Sequence, residues 1–83
     1  MNGDWRLDPR TGSTLILAPE GVTIVSPDGG RTFVPAPDGY ALSHFGEGAA
    51  IVAQGSKPVD GWWDWHFETD VEAGLLRRLG PAY

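Results

Sequence analysis

The sharpest pattern of apolar and polar positions in this chain lies between Val59 and Glu72. Odd positions there read Trp63, Trp65, Phe67, Thr69 and Val71, and even positions read Asp60, Trp62, Asp64, His66, Glu68, Asp70 and Glu72. Successive side chains of a strand point to opposite faces, so this alternation predicts one strand with a buried face and a wet face. Trp63, Trp65 and Phe67 are expected to point inward, and Asp64, His66 and Glu68 outward. Trp62 breaks the pattern as an aromatic on the wet side. Five shorter β-prone runs precede it: Trp5–Leu7, Ser13–Ala18, Val22–Ser26, Thr32–Pro35 and Ala50–Gln54.

Turn signals separate these runs at nearly regular intervals. Asp8-Pro9-Arg10-Thr11-Gly12, Pro19-Glu20-Gly21, Pro27-Asp28-Gly29-Gly30, Pro37-Asp38-Gly39 and Val59-Asp60-Gly61 all read as turns. Proline presets φ, aspartate bonds its own backbone, and glycine takes the positive φ that closes the turn. Gly12 is expected at such a positive-φ position. Short strands with turns this close predict an all-β fold, a small antiparallel meander forming a barrel or sandwich from a single domain of residues 1–83.

The C-terminal stretch admits two readings. Thr69-Asp70-Val71-Glu72 fits a helical capping box, Arg77-Arg78 suits a helix end, and Gly80-Pro81 suits a stop. Yet Asp70-Val71-Glu72-Ala73-Gly74 echoes Asp8-Pro9-Arg10-Thr11-Gly12, with an Asp followed four residues later by a Gly that enters an apolar run. The favoured reading is a hairpin returning along Leu75–Leu79, with one short C-terminal helix as the alternative.

Composition sharpens the energetics. A domain of 83 residues buries only about 60–65% of the surface its unfolded chain exposes. Without cysteine no disulfide can add stability, so the nine aromatics, four of them tryptophan, must supply the core. A homo-oligomer would ease that demand. The start of the chain, Met1-Asn2-Gly3-Asp4-Trp5, has an acid where a secretory signal has bases, and its longest apolar run is Leu15–Ala18. A cytoplasmic protein without a membrane span is therefore expected.

The net charge of −5 is concentrated. Asp60, Asp64, Glu68, Asp70 and Glu72 lie in thirteen residues that contain no Lys or Arg, and the other six acids are matched by the chain's six bases. Phosphate-backbone binding needs clustered bases, and only Arg77-Arg78 are adjacent, so direct nucleic-acid binding is not expected. The complementary partner is a protein with a basic surface.

Two short motifs resemble known families. Ser26-Pro27-Asp28-Gly29-Gly30-Arg31-Thr32-Phe33 resembles the Asp-box of sialidases and other β-propellers. That resemblance implies a hairpin turn tied by Ser26 and Asp28, with the aromatic in the core and no catalytic role. It occurs once, and 83 residues cannot supply the blades of a propeller. The stretch from 45 to 83 resembles SH3 domains. The resemblance rests on the spacing of Phe45, Gly48 and Ile51, on Asp60-Gly61-Trp62-Trp63, and on Gly74-Leu75 with Pro81 and Tyr83. It implies a proline-peptide groove lined by Trp62, Pro81 and Tyr83. The acidic loop of that family is missing, because only four residues separate Tyr40 from Phe45.

Candidate chemistry is sparse. Asp64, His66 and Glu68 place three potential metal ligands on one strand face, about 6.6–6.8 Å apart in succession. The competing reading is a solvated polar face, and no cofactor is expected. There is no cysteine nucleophile, nucleophile elbow, phosphate-binding glycine loop or paired-histidine zinc motif. The expected function is a non-enzymatic protein-binding domain, of inhibitor or immunity type. Its expected contacts are Asp60, Trp62, Asp64, His66, Glu68 and Asp70, with Trp62 as anchor and the acids selecting a basic surface. The alternatives are a small metal- or ligand-binding protein or enzyme centred on His66, an SH3-like peptide-binding module, and a purely structural role in an oligomer.

Overall fold

Turns and apolar runs resolve into eight strands. A computed structural model describes residues 4–82 and contains β1 (Asp4–Leu7), β2 (Thr14–Ala18), β3 (Gly21–Val25), β4 (Arg31–Pro35), β5 (Tyr40–Phe45), β6 (Ile51–Val59), β7 (Trp62–Asp70) and β8 (Leu75–Pro81). They form two antiparallel four-stranded sheets in the orders β1-β2-β3-β4 and β5-β6-β7-β8. Every ladder joins strands consecutive in sequence, so each sheet is a meander. No helix long and apolar enough to cross a membrane occurs among the described residues.

The two sheets bury their facing sides against each other. From the first come Leu15, Leu17, Val22, Ile24 and Val34, and from the second Leu42, Phe45, Ile51, Ala53, Trp65 and Phe67. Burial in β2 and β3 alternates as the period of two requires. The halves are also tied by polar contacts. Leu42 donates its N–H to the Pro19 carbonyl at 3.0 Å and Ala36 to that of Glu20 at 2.9 Å. Arg6 of β1 stacks over the Phe45 ring at 4.9 Å and donates to the carbonyls of Gly46 and Gly48, fixing the β5–β6 turn to the first sheet.

The echo between the two Asp–Gly turns is structural. Gly12 and Gly74 have φ of +75° and +67°, and each donates its N–H to the carbonyl of the aspartate four residues earlier at 2.8 Å. The competing C-terminal helix is therefore corrected: no helix occurs among the described residues, and of the capping-box residues Thr69 and Asp70 end β7 while Val71 and Glu72 open the turn into β8. β5 was not expected. It carries a register shift between Leu42 and His44, so its two buried residues, Leu42 and Phe45, lie three apart and no alternation shows in the sequence.

The Ser26–Phe33 hairpin has the turn its resemblance implies. The Ser26 hydroxyl bonds the Asp28 carboxylate, Gly30 donates its N–H to Asp28 at 3.0 Å, and Gly29 takes φ +94°. Its aromatic does not enter the core. Phe33 pairs with Thr23 and Val34 with Val22, so Val34 takes the inward place and Phe33 is 53% exposed. The SH3-like residues fall along the strands and turns of the second sheet, and Tyr83 lies outside the described residues.

Candidate interaction surface

β6 and β7 meet at a two-residue turn, Asp60-Gly61, with φ of +50° and +84°. Positive φ at both positions matches the right-handed twist of the flanking strands, and aspartate tolerates that region better than most residues. Just behind the turn the ladder is interrupted. Gln54 pairs with Asp64 and Val59 with Trp62, leaving Gly55 to Pro58 opposite Trp63 alone. Extra residues on one strand bend it and disrupt the ladder locally. Gly55 is required there: a Cβ on it would lie 2.6 Å from the Trp63 carbonyl oxygen.

That distortion corrects the expected place of Trp63. Trp65 and Phe67 are buried as expected, but Trp63 is 54% exposed. It borders an open groove of about 810 Å³ whose walls are Tyr40, Gln54, Gly55, Ser56 and Asp64. Apart from Gly39, the residues lining it belong to the second sheet. Trp62, on the opposite side of the ribbon, is 40% exposed. Its carbonyl accepts the Trp65 indole N–H at 3.1 Å, which fixes the tip to the buried tryptophan.

The acidic stripe divides into two ends. From Trp62 to Asp70 it spans about 27 Å. At the far end Arg10, from the β1–β2 turn, lies 3.5 Å from Glu68 and donates to the Thr69 carbonyl at 3.4 Å. Arg77 makes two bonds to one Asp70 oxygen, at 3.0 and 2.8 Å. At the tip, Asp60 is exposed and Asp64 half-buried; neither forms an ion pair among the described residues. His66 lies between the two ends, half-buried, across from Val52 and Gly80. Asp64, His66 and Glu68 belong to no group of three such side chains able to hold a metal among the described residues.

The Ala73 N–H, then Arg77, hold the Asp70 carboxyl below the ordinary aspartate range. The Ser26 hydroxyl and the Gly30 N–H do the same for Asp28. A carboxyl lowered by folding contributes stability that is present above its unfolded pKa and lost as pH falls through the folded one. Melting temperature is therefore expected to drop below about pH 4. Asp70→Asn should flatten that acid limb, and an unchanged limb in the variant would count against the assignment.

Asp60, Trp62 and Asp64 lie at the same hairpin tip, while the exposure of Trp63 beside Tyr40 and the contact of Arg10 with Glu68 do not follow from the alternation. The run Gly55-Ser56-Lys57-Pro58 was the available signal for Trp63, since Gly and Pro inside a strand mark a bulge. Nothing in the sequence links Arg10 to Glu68. Comparison of this chain with protein-family models, with curated proteins and with solved structures finds no match.

Proposed function

We propose that this chain is a non-enzymatic protein-binding domain, of inhibitor or immunity type, that engages a basic surface through the tip of the β6–β7 hairpin. One observation carries the reading. Two tryptophans stand exposed on opposite sides of one ribbon, beside two aspartates with no internal ion pair among the described residues. Exposed tryptophans give large rigid contact areas, and uncompensated acids beside them steer and select a basic partner. Glu68 and Asp70 are already engaged by Arg10 and Arg77, so they hold the fold and contribute less to the contact. His66 sits at the margin of this surface.

The test pairs Asp60→Lys with Asp64→Lys in one variant and makes Trp63→Ala in another. Both are surface changes and should melt within a few degrees of the parent. A partner captured from the source lysate, and released at high salt, should lose at least about 30-fold in affinity to Trp63→Ala, the range of an interface hot spot. The charge variant should act mainly by slowing association. If both variants fold and keep the partner, the hairpin tip is not the contact.

A further inference from the structure

The outward side of the β1–β4 sheet carries large apolar side chains on both edge strands. One row across all four strands reads Trp5, Ile16, Thr23 and Phe33. The next row reads Leu7, Thr14, Val25 and Arg31. Trp5, Leu7 and Phe33 are 61%, 56% and 53% exposed. The outward positions of these strands include no Asp or Glu. We infer that this face is the interface between two copies of this chain, packed sheet on sheet.

The chain carries −5, which opposes self-association overall, and this face is one that two copies can bring together without opposing carboxylates at close range. Area argues for a second copy. Trp5 and Phe33 are aromatics worth roughly 150–250 Å² each when fully covered, and over half of each is still exposed; with Leu7 and the half-buried neighbours the face offers on the order of 500 Å² per copy. Two copies together reach about 1,000 Å², the lower bound for a specific interface. A two-fold axis parallel to the strands sets Trp5 of one copy against Phe33 of the other, twice, over the smaller Thr23 and Ile16. An interface at this lower bound is of the weak, reversible kind.

Sedimentation equilibrium from about 1 µM to 1 mM tests it. The parent should pass from 8.9 kDa toward twice that mass. Trp5→Glu and Phe33→Glu, each at an exposed side chain, should keep the parent's far-UV spectrum and weaken association at least about 30-fold. The Asp60→Lys, Asp64→Lys variant should dimerise at least as tightly as the parent, its smaller net charge easing repulsion, which separates this face from the hairpin tip. A parent that stays at monomer mass overturns the inference, whether or not the face then binds lipid vesicles or another protein. So does a dimer that both glutamate variants leave intact.

Discussion

Trp65→Ala is expected to cost about 3–5 kcal/mol, and Trp63→Ala, two residues earlier on the same strand, well under about 1 kcal/mol. Trp65 is 7% exposed, holds the Trp62 carbonyl through its indole, and carries the Arg78 guanidinium at 4.6 Å over its ring. Truncation leaves a cavity in the shared core and removes both polar contacts. A domain of this length has about 4–12 kcal/mol of stability in total. The melting temperature should therefore fall by at least about 12 °C. Thermal unfolding by circular dichroism decides it. Equal effects at 63 and 65 would mean that the bulge does not lift Trp63 out of the core.

Gly55→Ala is expected to be the most damaging single-methyl addition in β6. The new Cβ would stand 2.6 Å from the Trp63 carbonyl oxygen and 3.1 Å from that of Lys57. Both are backbone atoms, so no rotamer change relieves the clash. Overpacking of this kind costs about 1–3 kcal/mol. Because the obstructing oxygen belongs to Trp63, the relaxation must shift the tip itself. The variant should therefore lose partner affinity along with stability, whereas Trp63→Ala loses affinity alone. Melting and binding measured on the same preparations separate the two, and a Gly55→Ala chain with parental stability would contradict the bulge geometry.

How far the sequence went follows from what alternation assumes. A period of two reports direction relative to the strand, and that equals burial only where a second layer lies opposite. Trp65, Phe67 and Thr69 have the first sheet before them and are buried. Trp63 keeps the same parity beyond the interruption at Gly55 to Pro58 and meets solvent. Phe33 failed for a related reason, since the register of β4 on β3 gives the inward place to Val34. Local chemistry was more dependable. The Asp8–Gly12 and Asp70–Gly74 turns were legible because an aspartate and a positive-φ glycine fix their own geometry without help from afar. The Arg10–Glu68 contact, 58 residues apart in the chain, follows from packing alone.

Because each sheet is one uninterrupted half of the chain, its strands can be added one at a time to a hairpin already formed. No ladder has to wait for a distant segment. Such a topology has a low loop-closure cost, which places it toward the rapid end of all-β folding. What remains is the docking of the two halves across residues 36–39. Neither half is a finished product by itself, since each presents a bare apolar side until the other arrives. Cleaved at Asp38, the two pieces should thus behave as complementary fragments, each poorly ordered alone and regaining strand structure on mixing.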